Sequence, residues 1–94
     1  MTIIRAHVQT GSASRYLQQL AKHWSHKMAV TFDEHRADIA FPNESRLTLT
    51  ADAERLHCML DVPEGEDAER MMTVVTSHLD RFAFREAPLN FVRE

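Results

Sequence analysis

The chain carries six histidines in 94 residues, and two of them, His23 and His26, stand close together in the segment His23-Trp24-Ser25-His26-Lys27. Histidine is the side chain best suited to proton transfer near neutral pH and a common metal ligand. Residues three apart on a helix are surface neighbours, so these two rings can converge on one ligand. At about 100° per residue, Tyr16, Gln19, His23 and His26 fall along one flank of such a helix. A second segment, His78-Leu79-Asp80-Arg81-Phe82-Ala83-Phe84-Arg85-Glu86, adds His78 at the edge of an apolar stripe and Arg85 near a helix end. If the two helices lie side by side, His78 approaches His23 and His26. Three imidazoles with water completing the shell suffice for a metal ion. His23, His26 and His78 are therefore the candidate metal ligands. With Tyr16, Gln19 and Arg85 they form the candidate ligand-binding set, in which Arg85 would pair with an anionic group such as a carboxylate.

Each of these residues also has an ordinary structural explanation. A histidine on a helix flank often sits half-buried and bonded to a neighbour, and a basic residue at a helix C-terminus complements the dipole. Trp24 reads as core, Phe82 and Phe84 as core and C-terminal packing, and Arg81 as a solvated charge. His35 falls in a predicted turn. The stronger catalytic signatures are missing: HExxH, CxxC, GxSxG and a glycine-rich phosphate loop are absent, and Gly11 and Gly65 stand alone. Cys58 is the only cysteine. It alternates with Leu56, Leu60 and Val62 and reads as a small buried hydrophobe with an inert thiol.

The elements that would position these groups follow from periodicity. Ile4, Ala6 and Val8 alternate with Arg5, His7 and Gln9, which predicts a strand. Ser12 is a suitable N-cap, its hydroxyl accepting from a first-turn N–H. Ala13, Leu17, Leu20 and Trp24 recur at the spacing of one buried helical face, from Ala13 to about Lys27. Four alternating runs follow, on Val30 and Phe32, on Ile39 and Phe41, on Leu47 and Leu49, and on Leu56 to Val62. Loops as short as those between them join antiparallel neighbours in a meander. Ala68, Met72, Val75, Leu79 and Phe82 mark a second helix, entered through acidic residues that suit the positive end of its dipole. A last strand is expected over Leu89–Arg93. The order β-α-β-β-β-β-α-β with one apolar sheet face predicts an α+β two-layer sandwich, both helices on one face of a mainly antiparallel sheet. The other face would carry Arg5, His7, Thr31, Asp38, Arg46, Thr48, His57 and Asp61.

Length and composition bound the function. Ninety-four residues at 44% apolar and 27% charged fit one domain, residues 1–94. A net charge of −3 argues against a nucleic-acid partner or an anionic membrane surface. No apolar run approaches the ~18 residues of a membrane helix. The N-terminus lacks the basic and apolar regions of a secretory leader. One cysteine excludes an intrachain disulfide and fits a reducing cytoplasm.

Taken together, Ser14–Lys27 and His78–Glu86 resemble the hallmark segments of a bacterial domain-of-unknown-function family of small stand-alone proteins. Similar domains are fused to siderophore-interacting flavin reductases. The resemblance covers nearly the whole chain. It implies a cytoplasmic binding or accessory module linked to iron-siderophore metabolism, with a small-molecule or metal-chelate ligand and a siderophore-interacting reductase as candidate partners. It supplies no established catalytic residue. Two alternatives stand beside it. One is a small enzyme using a histidine as general acid or base. The other is a homodimerisation domain built through the polar sheet face or an edge strand.

Overall fold

The computed structural model describes residues 2–94. Their elements, in chain order, are β1 (Thr2–Gln9), α1 (Ala13–Ser25), β2 (Ala29–Phe32), β3 (Arg36–Ala40), β4 (Arg46–Ala51), β5 (Arg55–Val62), α2 (Ala68–Phe82) and β6 (Val92–Arg93). This is the expected order. The strands form one sheet, β2-β3-β4-β5-β1-β6, with every neighbouring pair antiparallel. Tight turns make β2 to β5 a meander. The chain then closes the sheet non-locally: β1 pairs with β5 from Thr2↔Val62 to Gln9↔Arg55.

Alternation along these strands sends one set of side chains to the helices. Ile4, Ala6 and Val8 of β1 and Leu56, Cys58, Leu60 and Val62 of β5 are buried with Leu17, Leu20 and Trp24 of α1 and Met72, Val75 and Leu79 of α2. Each fully buried leucine or valine contributes roughly 1.5–3 kcal/mol. Slipping the register by one residue would turn a whole strand's apolar set toward water, so the pairing is strongly specified. Burial also pushes the Cys58 thiol up to about 12, which leaves it protonated and unreactive. No helix among the described residues is long and apolar enough to cross a membrane.

The helix ends differ in detail from expectation. Ser12 does occupy the N-cap of α1, but its side chain makes no capping bond. Its backbone, at φ −111° and ψ 25°, lacks the extended conformation that aims a cap oxygen at the first turn. The turn is held instead by the Thr10 hydroxyl, which accepts from the Ser12 N–H at 3.1 Å. Helix α1 stops at Ser25, short of Lys27. The Lys27 and Met28 N–H groups both donate to the Trp24 carbonyl, at 2.9 and 3.0 Å, and this tightened turn closes the helix. Asp67 caps α2 in the regular way, its Oδ1 accepting from the Arg70 N–H at 3.1 Å.

Two expectations for the C-terminal segment are corrected. The final strand spans Val92–Arg93 only. Upstream, the Leu89 N–H donates to Asp80 Oδ1 at 2.9 Å and the Phe91 N–H to the Leu89 carbonyl at 3.2 Å, so these donors are satisfied away from the sheet. Phe84 is not packed but 74% exposed. Past α2 the Glu86 and Ala87 N–H groups both donate to the Ala83 carbonyl at 2.8 Å, and this turn carries Phe84 outward.

Candidate functional site

Helices α1 and α2 lie in contact on the sheet. The last turn of α1 carries His23, and the C-terminal half of α2 carries His78. Their ring centroids stand 5.8 Å apart, tilted by 40°. The floor is Trp24, buried, with its ring 5.1 Å from that of His78. Trp24 is fixed in turn by an edge contact with Phe41 at 5.1 Å, and Phe82 meets His23 edge-on at 5.9 Å. The cluster therefore sets two imidazoles against the rings of Trp24 and Phe82.

The tautomer of His78 follows from its partner. Its Nδ1 lies 2.7 Å from the Val74 carbonyl, which can only accept. Nδ1 must carry the hydrogen, so in the neutral ring Nε2 holds the lone pair. His23 is exposed. Its pKa is held below the ordinary histidine value, first by partial desolvation and then by the positive charges of Lys27, His78, Arg81 and His26. The field at the ring pair is thus cationic.

The structure brings His23 and His78 together as ring neighbours. His26, the C-cap residue of α1, acts on His23 through its charge. Among the described residues no three histidine, cysteine, aspartate or glutamate side chains gather as a metal-holding group. Arg85 lies with its guanidinium 5.8 Å from the Phe84 ring centre. Tyr16 is buried, and its hydroxyl donates a hydrogen bond to the Glu86 carboxylate, which also accepts from the Thr10 hydroxyl at 3.0 and 3.1 Å. The phenol pKa is raised by the bond to Glu86, by burial and by the Glu86 charge, in that order. Tyr16 thus ties α1 to the segment after α2. Gln19 presents a buried Oε1 with no hydrogen-bond partner.

Glu86 was legible only as the end of a segment; nothing local marks it as the partner of Tyr16. The sheet face away from the helices is also richer than its polarity suggests. Cross-strand pairs Thr31↔Asp38, Asp38↔Thr48, Arg46↔Asp61 and His7↔His57 place the expected residues together on that face. Two depressions of about 460 and 490 Å³ lie there and share Thr48 and Met59. The first is lined by Arg5, Arg36 and His57, the second by Asp38, Arg46 and Asp61. The signal for them is the alternation itself, and the first, which Arg5 lines, becomes readable only once β1 is known to pair with β5.

Comparison with known proteins agrees with this architecture. No curated protein matches the chain. Among solved structures, the NMR structure of PA4090 from Pseudomonas aeruginosa is similar, with a TM-score of 0.81 at 33% identity, covering 100% of this chain and 96% of that one. Residues 5–92 match the family model DUF2218, described as an uncharacterized protein conserved in bacteria. A match from the first strand to the last, on a shared two-layer fold, means that the chain belongs to the DUF2218 family.

Proposed function

We propose that the protein is a small binding module that takes an anionic metal chelate at the surface ring pair of His23 and His78. The observation that carries this reading is the ring pair itself, 5.8 Å apart, among the charges of Lys27, Arg81 and His26. Partial desolvation, and after it those cations, disfavour protonation of His23. A bound anion supplies the opposite charge and favours the protonated, donating form of His23. Phe82, half-buried beside His23, offers apolar surface to the carbon skeleton of an organic chelator, and buried Trp24 backs His78 from beneath. The choice of a ferric siderophore-type ligand, and of a siderophore-interacting reductase as the partner receiving the iron, rests on the family resemblance of the two hallmark segments.

Trp24 is the only tryptophan, and its contact with His78 makes its fluorescence a direct readout. Titration with gallium citrate, which is diamagnetic and stands in for ferric citrate, is expected to change Trp24 emission saturably. The change should be lost in His23→Gln and His78→Gln. An emission that does not respond in the intact protein refutes the reading.

A further inference from the structure

We infer that His7 and His57 form a separate site for a late first-row divalent cation, on the sheet face turned away from the helices. They are direct cross-strand partners on β1 and β5, with ring centroids 6.0 Å apart and a tilt of 46°. A metal at ~2.0–2.1 Å from one nitrogen of each ring separates two imidazole centres by roughly 5–6 Å. The ring separation of the pair therefore falls within the range that one shared cation requires.

The second observation is independent of that spacing. Each imidazole is already bonded through one nitrogen to a carboxylate, which leaves the other nitrogen available. His7 Nδ1 lies 3.1 Å from Glu94 Oε2, and His57 Nε2 lies 3.2 Å from Asp52 Oδ2. A carboxylate on the far nitrogen is the usual arrangement behind a metal-bound histidine, where it fixes the tautomer and raises the basicity of the ligand. The Asp52 carboxylate and the Glu94 backbone are themselves held in place. Asp52 Oδ1 accepts from the Glu54 and Arg55 N–H groups at 2.9 and 2.7 Å, bonds that with His57 hold its pKa below the usual carboxylate value. The Glu94 N–H donates to the Arg5 carbonyl at 2.9 Å, continuing the β6–β1 ladder. The array Glu94–His7–His57–Asp52 thus draws on both sheet partners of β1 and on the β4–β5 turn.

The flanking residues narrow the cation. Arg5 and Arg55 lie two positions from His7 and His57 on the same strand face. Their charge opposes an ion held by electrostatics alone, such as Mg²⁺. It is tolerated by one held through nitrogen donation, and affinity for such sites rises along the series to Cu²⁺. Two protein nitrogens leave the remaining positions to water, so the site is labile and open.

The test is a Cu²⁺ titration of tag-free protein followed by electron paramagnetic resonance. One equivalent is expected to bind with nitrogen coordination. His7→Gln and His57→Gln should each weaken binding at least about tenfold, and Glu94→Gln and Asp52→Asn about tenfold. His23→Gln should leave the affinity unchanged. The positions are on the sheet surface, and an amide spectrum confirms that each variant is folded. Equal affinity in the intact protein and both histidine variants, or loss of binding in His23→Gln instead, overturns the site. Unchanged affinity in both carboxylate variants overturns the orienting role of Glu94 and Asp52.

Discussion

The rings of His23 and His78 meet 5.8 Å apart across the seam between α1 and α2, although the whole β2–β5 meander separates them in the chain. The sheet causes the meeting. Its apolar face admits both helices in one layer, and Trp24 packs edge-on against Phe41 beneath the seam. Binding chemistry at the seam therefore depends on packing beneath it.

Removing either imidazole should affect binding far more than folding. His23 is exposed, and His23→Ala is expected to change stability by no more than about 0.5 kcal/mol. His78→Ala also loses the bond to the Val74 carbonyl and should cost about 1 kcal/mol. Urea unfolding of the two variants measures both values. A loss of several kcal/mol in either would make that ring a structural residue.

The pKa of His23 gives a signed pH dependence. It is lowered in the folded chain, so the unfolded chain takes up the proton more readily. The corresponding stability is present above the unfolded value of 6.5 and is lost as pH falls through the lower folded value. Lys27→Gln removes the largest charge contribution and should raise the His23 midpoint in an NMR titration. An unmoved midpoint would contradict the cationic field described for the seam.

Tyr16→Phe tests the tether to the C-terminal segment. The bond from Tyr16 to the Glu86 carboxylate is charge-assisted, and its loss should cost about 1.5–3 kcal/mol. Because the folded phenol pKa is raised, this stability is complete below the ordinary value of 10.0 and disappears as pH rises through the folded value. Thermal unfolding at pH 8 and above pH 10 should show the difference between the intact protein and Tyr16→Phe narrowing. A difference independent of pH would argue against the Glu86 bond as its source.

Cys58 should be silent to thiol reagents in the native state, since its thiol is buried and pushed up to about 12. Labelling is expected only at the rate of unfolding and stoichiometrically in denaturant. Rapid native labelling would mean that β5 opens far more readily than its full-length pairing with β1 implies.

Most of the architecture was legible because alternation and helical periodicity are local. Ile4, Ala6 and Val8 announce a strand, and Leu17, Leu20 and Trp24 announce a buried helical stripe, without knowledge of any partner. The seam was half legible: His23 and His78 were placed on the correct flanks, but their spacing depends on how two helices settle on a sheet. The Tyr16–Glu86 bond and the His7–His57 pair were not legible. Each joins residues far apart in the chain, and the cross-strand partner of a histidine is fixed only when β1 is placed beside β5. Phe84 was misread because aromatic character suggests burial, whereas the turn on the Ala83 carbonyl decides its direction.

The most direct measurement is a histidine-selective ¹H–¹³C spectrum of the intact protein titrated with gallium citrate near neutral pH. The His23 and His78 ring signals are expected to shift together to saturation, with a rise in the His23 midpoint, while the His35 signals stay fixed. Shifts confined to other histidines, or none at any concentration, would contradict binding at the ring pair.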